Sequence, residues 1–258
     1  RLPLLSYEDQ LESAPADWRF PDDIDEWEEA GMCFSSATTG MPKGVTYAHR
    51  AIYLHSMMIS TVDTLAISER DAVMPVVPMF HVNAWGMPFA SVWMGAKQVL
   101  PGPRPDPHTL CQLIQDERVT IAAGVPTIWM GILQAMEQKQ YDLSSLTRAT
   151  CGGSAPPRAV IEAYEEKLGI PFLHAYGMTE GAPITHVCRL KGALESIPAA
   201  ERYTRKTKQG ILAPGLDMRI LREDGTEVDP DGRDMGELLL RGPWIASEYY
   251  NDERTAST

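Results

Sequence analysis

The run Phe34-Ser35-Ser36-Ala37-Thr38-Thr39-Gly40-Met41-Pro42-Lys43-Gly44-Val45 gathers four hydroxyl side chains, glycines, a proline and a lysine. Hydroxyls and backbone N–H groups in a tight turn form a concave set of donors suited to phosphate oxygens. Lys43 adds the positive charge that a polyphosphate leaving group needs. Ser, Thr and Gly also fill ordinary surface turns, and from this stretch alone the two readings stand even. The common nucleotide loop requires Gly-Lys followed by Ser or Thr. Here Gly44 follows Lys43, so the run is not that loop.

Two further stretches carry chemistry. Gly152-Gly153-Ser154-Ala155-Pro156 stands between a strand-like run and a helix-like one, where small residues let a flat base approach the backbone. An ordinary strand-to-helix turn fits it equally well. A serine hydrolase does not, because Gly-x-Ser-x-Gly is absent. Tyr176-Gly177-Met178-Thr179-Glu180 again follows an apolar run. Its aromatic face suits a purine, and its carboxylate suits a hard cation that bridges phosphates. Standing alone, it reads equally as a loop with a helix-capping threonine.

These stretches must be held by regular elements, and the chain supplies them in alternation. A helix is expected over 48–67, a buried strand running into a loop over 71–80, a helix over 84–93 and a strand over 97–100. Asp106-Pro107 opens a helix through Arg118. Strand 119–123, helix 126–139, strand 149–151, helix 158–168 and strand 171–174 follow. This alternation predicts an α/β fold with a mainly parallel sheet flanked by helices. After about Ile184 the pattern changes to a smaller antiparallel β-rich part, with runs 216–221 and 237–241 and an Asp224-Gly225 turn signal between them.

The expected organisation is an acidic, proline-rich approach segment over 1–30, an α/β part over 31–193 and a β-rich part of the same large domain over 194–258. The acidic run 22–29 reads as a solvated surface. With 44% hydrophobic and 22% charged residues, the 258-residue chain has the composition of a soluble globular protein. A formal net charge of −12 argues against a nucleic-acid partner. Cysteines 33, 111, 151 and 188 lack metal-like spacing and read as reduced, buried thiols. With no apolar run long enough to span a membrane, the expected location is cytoplasmic, with peripheral membrane attachment left open.

The first run resembles the phosphate loop of the AMP-forming, adenylate-forming enzymes, Ser/Thr-Ser-Gly-Thr/Ser-Thr-Gly-x-Pro-Lys-Gly, departing from it at Ala37. Tyr176–Glu180 is similar to that family's Tyr-Gly-x-Thr-Glu, and 236–250 to its Gly-Glu-Leu…Gly-Pro…Tyr-Tyr segment, with Glu248 where glycine is usual. The resemblance implies that Ser35, Ser36, Thr38, Thr39, Gly40 and Lys43 cradle the ATP phosphates. It places Gly153, Ser154, Ala155, His174, Ala175, Tyr176 and Gly177 around the adenine, Thr179 on the α-phosphate, and Thr39 and Glu180 on Mg²⁺. His81 would stand beside the substrate carboxylate, and Trp85, Phe89, Val125 and Met178 would wall an acyl pocket. Packing accounts equally well for Trp85 and Phe89.

The stretch 76–85 looks most like the medium- and long-chain fatty acyl-CoA synthetase branch. The activity so implied is adenylation of a fatty acid by ATP with loss of pyrophosphate, then thioester formation with coenzyme A. Lys43, His81, Thr179 and Glu180 are the implied catalytic residues. Two alternatives stay open: a nucleotide- or acyl-binding fragment without turnover, and an adenylation domain serving a carrier protein. Arg1 is not an initiator methionine, and 251–258 ends where the sequence leads one to expect a helix to begin. The chain is thus expected to be part of a longer protein, a homodimer or not, whose C-terminal lid lies elsewhere, and to be inactive alone.

Overall fold

The computed structural model describes residues 6–35 and 41–252. Helix α1 (Tyr7–Ser13), N-capped by Ser6, lies in the acidic, proline-rich approach segment. Strands β1 (Glu29–Phe34) and β2 (Gly44–Ala48) pair antiparallel, with Phe34 opposite Gly44. They form the two arms of the Ser/Thr/Gly run. Its base is tied by Ser35 N–H to the Lys43 carbonyl at 2.9 Å and by Lys43 N–H to Ser35 Oγ at 3.1 Å. The sequence signal for β2 is hidden because it runs directly into α2 (His49–Ile59). That helix stops well before residue 67. The Thr61 and Thr64 hydroxyls both take the Met58 carbonyl, at 2.9 and 2.8 Å, and Leu65 N–H takes that of Ile59. Such local bonds compete with the helical ladder.

The main sheet has seven strands. They are β3 (Ala72–Pro75), β4 (Lys97–Gln98), β5 (Ile121–Gly124), β6 (Arg148–Cys151), β7 (Phe172–Gly177), β8 (Ile184–Cys188) and β9 (Ile211–Leu212). Their order is β4-β3-β5-β6-β7-β8-β9. The pairings from β4 to β7 are parallel, while β8 and β9 join antiparallel. Alternate residues feed two cores: Val73 belongs to one with Tyr47, Ile59 and Trp85, and Met74 to the other with Leu110, Trp129 and Phe172. Helices α3 (Met87–Met94), α4 (Pro107–Asp116), α5 (Pro126–Gln138) and α6 (Arg158–Glu162) make the crossovers, and α7 (Ala199–Lys206) precedes β9.

Three further expectations are corrected. The helix expected from 84 starts only at Met87, because Val82, Asn83, Ala84, Trp85 and Gly86 all have φ between +48° and +71° and form a left-handed turn. The helix expected over 158–168 widens to a π-helical turn at Ala163–Lys167, where Tyr164 is buried against Trp129 and Phe172. Asp224-Gly225 makes its turn, closed by Arg222 N–H to Thr226 O at 2.8 Å. The chain then bridges Leu221 to Glu227 and wanders before β11 (Glu237–Arg241) pairs with β10 (Asp217–Leu221). The hairpin is therefore long-looped.

The four cysteines are buried and free. No helix among the described residues is long and apolar enough to cross a membrane.

Candidate active site

A cleft of about 660 Å³ opens at the carboxyl ends of the parallel strands, where open α/β sheets bind ligands. Its walls come from the base of the β1–β2 hairpin (Ser35, Met41, Lys43), the segment after β3 (His81, Val82, Trp85), Gly153 after β6, and the end of β7 with its following turn. Pro183, Ile184 and Tyr249 complete it. Its size falls within the range of about 300–1,000 Å³ usual for small-molecule sites.

Of the residues singled out from the sequence, the cleft brings together Ser35, Lys43, His81, Trp85, Gly153, Ala175, Tyr176, Gly177, Met178, Thr179 and Glu180. Ser36, Thr38, Thr39 and Gly40 lie outside the described residues, as does Ala37. Ser154, Ala155, Phe89, Val125 and His174 are not among its lining residues. Phe89 and Val125 are 40% and 38% exposed. His174 is buried with Nδ1 2.9 Å from the Lys208 carbonyl, and burial lowers its pKa. Trp85 is buried with its ring against Gly152, so it forms the floor beneath the Gly152-Gly153 turn.

The turn after β7 is the most heavily braced part. Gly177 packs so closely on the Pro183 carbonyl that a Cβ would stand 2.2 Å from that oxygen. Thr179 is buried, and its carbonyl accepts the Tyr47 hydroxyl at 2.7 Å. Desolvation is the first cause raising the Tyr47 pKa, so the phenol stays a donor. The Glu180 carbonyl accepts Ala246 N–H at 2.7 Å, and its Oε1 accepts the Tyr249 hydroxyl at 2.8 Å. The Tyr249 ring in turn lies under Lys43, with Nζ 4.2 Å from its centroid. Tyr176 is half-buried and meets His186, its partner on β8, edge to face at 5.6 Å.

The opposite wall is strained. Non-glycine residues in the left-handed region cost roughly 1–2 kcal/mol each, so the Val82–Trp85 turn persists only because its surroundings impose it. Val82, Ala84 and Trp85 are buried, and Asn83 Oδ1 accepts from Cys33 Sγ at 3.5 Å. The His55 ring presses on Gly86, where a Cβ would lie 2.7 Å from Nδ1. Its Nε2 accepts Ile184 N–H at 3.0 Å, so one buried histidine ties this turn to the segment after β7. Tyr47, His55 and Tyr249 are absent from the sequence-derived site. The first two sit on buried faces of β2 and α2, and Tyr249 carries no signal beyond its Tyr-Tyr context.

No cluster of three or more His, Cys, Asp or Glu side chains forms a metal cage among the described residues. The lone half-buried carboxylate of Glu180 in the cleft wall is the kind of ligand Mg²⁺ takes, one or two from protein with phosphates and water completing its shell.

A mainly parallel sheet with a cleft at its carboxyl ends, offering a lysine, a buried threonine, a carboxylate and an aromatic face, defines a nucleotide-binding architecture. The sequence pattern of AMP-binding enzymes matches residues 2–250, and the chain belongs to that family. It is 45% identical over 254 residues to a long-chain-fatty-acid–CoA ligase of Thermus thermophilus, covering 98% of this chain and 46% of that protein. It is 40% identical over 250 residues to a medium-chain-fatty-acid–CoA ligase of Ectopseudomonas oleovorans, covering 97% and 46%. Among solved structures, a long-chain-fatty-acid-CoA ligase from Archaeoglobus fulgidus superposes with a TM-score of 0.80 at 22% identity, over 96% of this chain and 48% of that one, a likeness of fold. The chain spans about half the length of the curated relatives it matches.

Proposed function

We propose that this chain carries the adenylation site of an AMP-forming acid–thiol ligase acting on medium- or long-chain fatty acids. The observation that carries the reading is the meeting, in one cleft, of Lys43, His81, Tyr176, Thr179 and Glu180, drawn from three separate segments. The adenine stacks on Tyr176, Thr179 holds the α-phosphate, and Lys43 neutralises charge that develops on departing pyrophosphate. His81, exposed at the mouth, orients the carboxylate as it attacks the α-phosphorus. The coenzyme A thiol then displaces AMP. The phosphates carry the charge, so the residues act mainly by positioning and electrostatic stabilisation.

Glu180, with Thr39 from the phosphate run, would hold Mg²⁺, which when bound offsets phosphate charge. Met178 and Trp85 supply apolar surface for the acid. Phe89 and Val125 enter the acyl wall only if the cleft extends beyond its present lining. Residues 31–193 and 194–258 then serve one large domain, and the buried free thiols support a cytoplasmic location.

The test is acid-dependent exchange of labelled pyrophosphate into ATP by the full-length natural protein. Medium- and long-chain fatty acids should drive it, and amino acids should not. Because relatives also include a 3-methylmercaptopropionyl-CoA ligase of Ruegeria pomeroyi, 40% identical over 244 residues, that short thioether acid belongs in the panel. Exchange driven only by amino acids would sink the substrate class.

A further inference from the structure

Tyr249 stands between two side chains of opposite charge. Its hydroxyl donates to Glu180 Oε1 at 2.8 Å, while Lys43 Nζ lies 4.2 Å from the centroid of its ring. Among the described residues no ion pair joins Lys43 to Glu180. The segment that carries the ring is fixed by backbone contacts. Tyr249 bridges to Val45, Tyr250 N–H takes the Gly44 carbonyl at 2.8 Å, and Ala246 N–H takes the Glu180 carbonyl at 2.7 Å. Backbone bonds thus hold the segment that carries the ring both to β2 and to the Glu180 turn.

An ammonium and a carboxylate that meet the same ring in a partly screened cleft attract each other, and their pairing would take both away from a phosphate ligand. An aromatic ring placed between them prevents this. Its face satisfies the ammonium without neutralising it, and its hydroxyl holds one carboxylate oxygen while leaving the other. Such outer partners orient a metal-binding carboxylate and tune its affinity.

We propose that Tyr249 is a positioning residue of the adenylation site: it presents Glu180 to the divalent cation and holds Lys43 apart from that carboxylate. The inference rests on the functional reading above and adds to it a residue that touches both charges. Tyr249→Phe keeps the ring and removes the hydroxyl, and Tyr249→Leu removes both.

Three readouts on the full-length natural protein separate the roles: Mn²⁺ affinity in the presence of ATP, from the paramagnetic resonance signal of free Mn²⁺; metal-free ATP affinity by calorimetry; and fatty-acid-dependent pyrophosphate exchange. Tyr249→Phe should bind Mn²⁺ about 10-fold or more weakly, the usual loss for an outer partner of a metal ligand, with metal-free ATP affinity unchanged. Tyr249→Leu should lose both affinities. Mn²⁺ affinity of Tyr249→Phe equal to wild type would overturn the carboxylate role. Unchanged metal-free ATP affinity in Tyr249→Leu would overturn the spacing role. Absence of exchange in the wild type would instead bring down the functional reading, so the two failures are distinguishable.

Discussion

Lowering the pH should loosen this fold through His55, and the size of the effect follows from its surroundings. The ring is 1% exposed and its Nε2 accepts Ile184 N–H at 3.0 Å, which requires the neutral form with its proton on Nδ1. Burial pushes its pKa down to about 3 from the ordinary 6.5. In the unfolded chain the same ring takes up a proton once the pH drops below 6.5. The unfolded state therefore binds more protons, and stability rises with pH and is lost on acidification. The contribution is fully present above 6.5 and is lost as the pH falls from there through about 3. At 1.36 kcal/mol per pH unit, the loss between about pH 8 and about pH 4.5 is about 2.7 kcal/mol. Burial lowers the pKa of His174 and His186 too, and they act with the same sign. Glutamine at 55 retains an acceptor for Ile184 N–H but does not titrate. Urea unfolding of the chain across this range, followed by tryptophan fluorescence, should show wild type losing about 2.7 kcal/mol more than His55→Gln. Parallel stability curves would refute the assignment of His55 as a buried neutral strut.

Tyr47→Phe removes the hydroxyl that satisfies the buried Thr179 carbonyl, and should cost about 1–3 kcal/mol in urea unfolding at neutral pH. Gly177→Ala sets a Cβ 2.2 Å from the Pro183 carbonyl. It should lower stability by about 1–3 kcal/mol and weaken ATP binding, measured by calorimetry on the full-length natural protein. Affinity equal to wild type would mean that the turn tolerates displacement.

The strand–helix alternation from β3 to β7 was legible because each element carries its own local signal. Asp106-Pro107 caps α4, with the Asp106 side chain accepting from His108 and Thr109 N–H, and Pro126 opens α5. Strand β2 was hidden by its fusion to α2, and β8 by its place after an irregular turn. The left-handed turn at 82–86 could not be read from residue types, since Val82, Ala84 and Trp85 do not favour that conformation. In the site, the residues that face a ligand were visible as motifs, whereas those that hold them were not. Tyr47 reaches Thr179 across 132 positions and His55 reaches Ile184 across 129. Contacts at such separations leave no periodic trace in a single sequence. His174 shows the converse: it is adjacent to a motif, yet its side chain turns to Lys208.

The central claim, that this cleft activates an acid by expelling pyrophosphate, is tested most directly by Lys43→Ala in the full-length natural protein. The lysine is half-buried at the cleft wall over the Tyr249 ring. Loss of a donor to developing negative charge costs about 2.7–4 kcal/mol, or a fall of about 100- to 1,000-fold in rate. Fatty-acid-dependent pyrophosphate exchange at saturating ATP should drop by that factor while the urea midpoint holds. An exchange rate unchanged from wild type would contradict the account.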